Sequence, residues 1–389
     1  MSYMDAPINQ PLLHTLQELV AINSVNGHLD GPGEAAIAAH VGELARAMGA
    51  DVEFDEVSPG RPNVMAWIRR GNRPTLLLEC HLDTVALDPM PDALNPRIEH
   101  NRLYGRGSAD PKGSLAAMIH VLQTAASDPN FPVDLCLAGC MDEEISMTGS
   151  RALASRSIDV DAAIVGEPTQ LRIVTAQKGA VRWRVRTRGV SAHSATPELG
   201  HNAIVDMGRI LPVIATAIEP RLHERVHPIL GSGTWNVGTV HGGTSVNVVP
   251  DLCEIEIDRR LVPGDSAEQV VAQVNTALEN LQQTESDLQI EYDPPFVEIP
   301  AIETPEESPI VQAAKQAIAA TGRPATPEGV AYATDAAMLT GISNIPAVVL
   351  GPGNIARAHT NNEWIEIDEL EAAVGIYGTI CRSYADMLT

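Results

Sequence analysis

In the first half of this chain, short apolar runs alternate with stretches of helical spacing, and that alternation constrains the fold more than any other feature. Leu12–Ile22 and Glu34–Met48 carry apolar residues at helical intervals, with Gly49 supplying a stop. Val64–Ile68 and Thr75–Glu79 are short apolar runs bounded by Gly, Asn and Pro, the pattern of buried strands. Ser114–Ala126 is helical again, and Val133–Ala138 and Ala162–Val165 return to strand. Strands alternating with helices imply an α/β fold, a mostly parallel sheet flanked by helices on both faces.

The texture changes near Lys178. From Val181 to Thr187 the chain alternates strictly, with Val181, Trp183 and Val185 on one side and Arg182, Arg184 and Arg186 on the other. That is a strand with one wet side, expected at a sheet edge. A helix over about Ala203–Ala217, strands at Thr234–Val240 and Leu252–Arg260, and a helix at Ala267–Gln282 complete a compact α+β unit. The helical pattern Ser308–Ala320, the strand Ala347–Leu350 and a last helix Ile367–Met387 return to the first pattern, with the Pro-rich stretch Asp293–Pro309 as hinge. The expected division is therefore 1–177 with 291–389 as one domain, and 178–290 as an insert.

Residues able to carry chemistry stand where the apolar runs end. Leu76–Cys80 leads into His81-Leu-Asp83, two positions apart and so on one face of an extended chain. A carboxylate there can hold the second nitrogen of a metal-binding imidazole, although a polar loop after a strand gives the same letters. Gly105-Arg-Gly-Ser-Ala-Asp110 precedes a helix, where an aspartate also serves as an ordinary N-cap. Asp142-Glu143-Glu144 follows the third run, and such adjacent acids repel unless cations or water balance them. Glu167 follows the fourth, and His359 lies in a Gly-rich loop after Val348–Leu350. Each signal alone is weak. Together, at the ends of successive strands, they converge two histidines and several carboxylates on one sheet edge. That mix suits zinc, with cobalt or manganese as alternatives, and it suffices for two metals sharing a carboxylate plus one acid as general base.

Other chemistries fit less well. His223-Glu224-Arg225-Val226-His227 has the H-E-x-x-H spacing, but Pro220 and Pro228 bracket it and oppose the helix that spacing needs. No Gly-x-Ser-x-Gly elbow occurs, and Cys136 and Cys140 lie in an apolar strand context. A net charge of −24 argues against nucleic-acid and anionic-membrane partners, because phosphate binding needs clustered cations. The exception is residues 178–230, with eight Lys/Arg against four Asp/Glu. Five cysteines without a C-x-x-C read as reduced thiols, and with no signal peptide or membrane-length apolar run visible they point to a cytoplasmic enzyme.

The ordered motifs resemble the M20 metallopeptidase family, whose members include acetylornithine deacetylase, succinyl-diaminopimelate desuccinylase, aminoacylase and glutamate carboxypeptidase. The resemblance runs through His81-Leu-Asp83-Thr-Val, Gly105–Gly113, Asp142-Glu143-Glu144, Gly166-Glu167-Pro and His359. It continues in Gly189-Val-Ser-Ala-His193, Gly242–Pro250 and Asp258-Arg-Arg260. It implies that His81, Asp110 and Glu167 bind one metal and that Asp110, Glu144 and His359 bind the other. Asp83 would orient His81, and Glu143 would take the proton of the attacking water. The insert would be a lid and dimerisation domain, with His193 reaching the oxyanion from the partner subunit. Arg260 and Asn247 would hold a substrate carboxylate. A cis Asp110–Pro111 bond is also expected, and Cys80 should pack into the sheet. The implied activity is hydrolysis of an N-acyl amino acid by a homodimer, most similar to acetylornithine deacetylase. A desuccinylase, a dipeptidase or carboxypeptidase, or a non-catalytic amino-acid-binding relative would share the fold.

Overall fold

A computed structural model describes residues 9–71, 73–156 and 158–388. The chain divides into two compact units. The first comprises the chain up to Thr175, Glu303–Glu328 and Thr334–Thr389, and the second Ala176–Ile302 with Gly329–Ala333. The second unit thus runs past the expected return at 291. Its late strands Gln289–Tyr292 and Val297–Ile299 both pair with Gly179–Arg188, and the second of them lies within the anticipated hinge.

In the first unit the strands Asp134–Cys140, Thr75–His81, Ala162–Val165 and Ala347–Val349 lie side by side and parallel. Arg61–Ile68 and Asp51–Ser58 extend this sheet antiparallel at one side. The parallel strands are buried along nearly their whole length, which is why they read as unbroken apolar runs rather than as alternation. Their shared direction brings the loops that follow them to one edge of the sheet. Helices supply the cover. Gln10–Ala21 buries Leu12, Leu13, Leu16, Leu19 and Val20, and Lys112–Ser127 is buried over most of its surface. The core they build is aliphatic, with Phe131 and Tyr377 among its few rings.

The second unit is an antiparallel sheet ordered Thr234–Gly242, Leu252–Leu261, Gly179–Arg188, Gln289–Tyr292. Val181, Trp183, Val185, Ile255 and Ile257 face a core shared with the helices Ala203–Leu222 and Ala267–Thr284. The first of these helices continues through Pro212 and Pro220, because buried Ile210, Ile214 and Ile218 hold it by packing. Gly179–Arg188 is not the edge strand its wet side suggested, since it has partners on both sides. Its arginines instead pair across the sheet: Arg182 with Asp258 at 2.6 Å, Arg184 with Glu256 at 2.9 Å, and Arg186 with Glu254. Among the described residues no helix is long and apolar enough to cross a membrane.

Candidate metal centre

The register of the parallel strands sets the site. His81 ends its strand opposite Cys140, so the loops beginning at Leu82 and Met141 leave the sheet together. Asp83 is fully buried and ties the two loops. Its Oδ1 accepts from the backbone N–H of Glu143 at 3.0 Å, and its Oδ2 from that of Glu144 at 3.1 Å and the Asn26 amide at 2.7 Å. His81 Nδ1 lies 3.1 Å from the Asp83 carbonyl oxygen and 3.4 Å from Oδ1, which leaves Nε2 aimed at the opposite side.

Asp110 occupies the middle. It precedes the helix Lys112–Ser127, and the Asp110–Pro111 peptide is cis. Its Oδ1 is 3.2 Å from His81 Nε2, and its Oδ2 is 3.4 Å from His359 Nε2. Glu167 Oε1 and Glu143 Oε2 each stand 4.0 Å from His81 Nε2, and Glu144 Oε2 stands 3.0 Å from His359 Nε2. Gly351 permits the close approach here, because a Cβ on it would meet the Glu167 carbonyl oxygen at 2.4 Å. His359 (φ 59°) and Asp142 (φ 69°) both hold left-handed backbone, a strain that tends to gather at functional sites.

The charges at this edge do not balance within the protein. Five carboxylates, those of Asp83, Asp110, Glu143, Glu144 and Glu167, surround two imidazoles, and burial raises Glu143, Glu144 and Glu167 above the ordinary carboxylate range. Asp110 moves the other way: its two imidazole partners outweigh burial and hold it below that range. Asp110 and Glu144 together raise His359 to about 10. At His81, burial works against the imidazolium, but hydrogen bonds to Asp110 and Asp83 prevail and keep it well above its usual value. Nitrogen and oxygen donors, an excess of negative charge and a carboxylate with one oxygen toward each histidine fit a pair of divalent ions.

Residues 77–383 match the model of peptidase family M20/M25/M40. The chain belongs to that family. The acetylornithine deacetylase of Aliivibrio salmonicida is 31% identical over 369 residues, covering 92% of this chain and 95% of that protein. A solved tripeptidase from Staphylococcus aureus is 25% identical with a TM-score of 0.78, covering 98% of this chain and 100% of its own. A Bacillus subtilis protein described as a dinuclear metal binding peptidase shares the fold at 15% identity and a TM-score of 0.71, covering 97% and 98%. This M20 chain is accordingly a hydrolase of amide bonds.

Other residues of this M20 site escape a reading of motifs. Glu363, 1% exposed, accepts from the backbone N–H groups of Gly107, Ala109 and Asp110 at 3.0–3.1 Å and from Arg106 Nη1 at 2.8 Å. It thereby fastens the backbone of the Asp110 loop to the segment that follows His359. Asp142 is held by the Asn26 amide, Arg61 and Thr148, and Arg61 also pairs with Glu34. The only sequence signal for Glu363 was its place four residues after His359. Cys80 is fully buried, with its thiol directed at the Pro111 and Gly166 carbonyl oxygens.

The remaining expected site residues lie in the second unit. His193 is exposed; its Nδ1 accepts from the Ala195 N–H at 3.0 Å. The Ser194 N–H donates to the Asn247 carbonyl oxygen at 3.0 Å, so His193 and Asn247 are neighbours. Arg260 is not with them. Its Nε bonds Asp258 at 3.0 Å, near the opposite end of the strand Leu252–Leu261. His223 and His227 share no helix: that helix ends at Leu222, and Val226–His227 pairs with Gly231–Ser232.

Proposed function

We propose that this chain hydrolyses the amide bond of an N-acyl amino acid with two divalent ions, and that its substrate is of the acetylornithine type. The observation that carries the reading is the Asp110 carboxylate, which offers one oxygen on the His81 side and the other on the His359 side. His81, Asp110 and Glu167 would hold one ion, and Asp110, Glu144 and His359 the other, most naturally zinc, with cobalt or manganese as alternatives. When bound, such a pair supplies Lewis acidity, which acidifies water and polarises the amide carbonyl. Glu143 takes the proton from the attacking water and returns it to the leaving amine. Asp83 fixes the tautomer and orientation of His81. The acetylornithine preference is supported by the 31% identity to an enzyme of that name, and a peptide substrate by the likeness to a tripeptidase.

Arg260 and Asn247 are proposed to hold the substrate carboxylate, and His193 the developing oxyanion. Their separation supports a homodimer. At about 3.4 Å per residue, the strand between Leu252, beside the His193 loop, and Arg260 spans roughly 27 Å, more than a small substrate can bridge. His193 and Arg260 at one substrate therefore come from two copies. Mixed dimers of His193→Ala and Glu143→Gln chains should recover activity that neither parent has, because one of their two sites is then intact. Absence of recovery in verified heterodimers would contradict a shared site. The reading also places the enzyme in the cytoplasm, acting on small molecules without nucleic acid or membrane.

The substrate is tested with metal-loaded protein against N-acetyl, N-succinyl and peptidyl amino acids. Hydrolysis of N-acetylornithine above the other substrates, abolished by a chelator and restored by zinc or cobalt, is the expected result. Preference for a succinylated or peptide substrate would overturn the acetyl assignment, and chelator-resistant turnover would overturn the metal.

A further inference from the structure

A second group of potential ligands lies behind the centre just described, and nothing in the proposed reaction uses it. Glu79 shares a strand face with His81, two residues nearer the sheet interior. Cys140 ends the neighbouring strand, and Asp335 stands at the start of the helix Ala336–Ser343. One ligand atom from each of Glu79, Cys140 and Asp335 lies within 4.8 Å of the others. All three residues are closed to solvent, with exposures of 0%, 0% and 1%.

What distinguishes the group is what its oxygens lack. Both carboxylate oxygens of Glu79 and Oδ2 of Asp335 are buried and find no hydrogen-bond donor outside the cluster, within which Glu79 meets Asp335 and the Cys140 thiol. Buried polar atoms are normally paired, and an unpaired charge is costlier still. Asp335 Oδ1 accepts from the Ser150 hydroxyl, which orients the carboxylate. Asp335 is also a helix N-cap that makes no capping bond with its side chain, so its free oxygen is available to the cluster. The basic group acting on both acids is His81, already engaged with Asp110 and Asp83.

We propose that Glu79, Asp335 and the thiolate of Cys140 form a third cation site, closed within the first unit and suited to a zinc-class ion. The sulfur donor separates it from magnesium and calcium sites, which take oxygen ligands throughout. Burial and the adjacent carboxylates raise the Cys140 thiol, so it is protonated without a cation. Coordination reverses this and releases that proton to solvent. Because no ligand is exposed, the ion enters as the chain folds. Once there it ties two adjacent sheet strands to the start of a helix, directly beneath His81.

The test uses full-length protein produced in zinc- or cobalt-supplemented medium and purified without chelator. Elemental analysis should find three ions per chain in the wild type, and two in Cys140→Ser and in Glu79→Gln. Cobalt-loaded wild type should show a thiolate-to-cobalt charge-transfer band in the near ultraviolet, retained in Cys80→Ser and lost in Cys140→Ser. A wild type with only two ions and no thiolate band would overturn the site, leaving the acids to share protons. So would an ion count and band that Cys140→Ser leaves unchanged. The wild-type count and spectrum decide the matter even where a variant does not fold. A single ion with a thiolate band that Cys140→Ser removes would uphold this site while refuting the two-metal reading of Asp110.

Discussion

Asp110→Ala leaves a chain that binds at least one metal equivalent fewer than the wild type and hydrolyses substrate at background rate. Asp110 faces both His81 and His359, so its loss weakens both halves of the centre at once. Substituting His359 alone should spare the His81 half. Lewis-acid stabilisation is worth several kcal/mol, and each 1.36 kcal/mol is a decade, so the expected loss is about four decades in kcat. Elemental analysis beside a steady-state assay checks both parts. Unchanged metal content, or activity within a decade of wild type, would show that this carboxylate does not bridge.

Glu143→Gln separates chemistry from binding. The Glu143 side chain stands 4.0 Å from His81 Nε2, and Asp83 fixes its backbone N–H. In the proposed roles it holds neither ion, so metal content should stay at the wild-type value while kcat falls by about two to four decades, the usual worth of a general base. The pH profile adds a second readout. The carboxylate is the active form, so wild-type kcat should climb as pH rises through the titration of this carboxyl. Glutamine has no such proton to lose, and the residual rate should be flat across the same interval. A rate near wild type, or an unaltered acidic limb, would remove Glu143 from the role.

The parts of the fold that were legible share a physical reason. Strands buried on both faces read as apolar runs, so Leu76–Leu78 and Ala162–Val165 announce themselves, and the acids that follow them mark the sheet edge. The alternation of Val181–Thr187 likewise gives a strand with one core face. Pairing is less visible, because it depends on residues far away in sequence. Arg182, Arg184 and Arg186 looked like a wet edge, whereas their partners are Asp258, Glu256 and Glu254 on the strand opposite. Val297–Ile299 was hidden in a Pro-rich stretch and became strand only by docking on Gly179–Arg188.

The same contrast holds within the site. His81, Asp110, Glu143, Glu144, Glu167 and His359 belong to short motifs and are brought together at one edge. Glu363 and Asn26 belong to none. Glu363 reaches backbone N–H groups more than 250 residues earlier, and Asn26 joins Asp83 to Asp142. Such groups act by meeting unpaired backbone or carboxylate atoms, a property of the folded geometry alone. Glu79 was read as the end of an apolar strand, and its letter does not disclose that it is buried there with no donor outside the Cys140–Asp335 cluster.

The most direct measurement is an anomalous-scattering map from crystals of the zinc-loaded enzyme, collected on both sides of the zinc edge. The account predicts two peaks flanking the Asp110 carboxylate, one bounded by His81 and Glu167 and the other by Glu144 and His359. A single peak there, or peaks that leave Asp110 out of coordination, would contradict it.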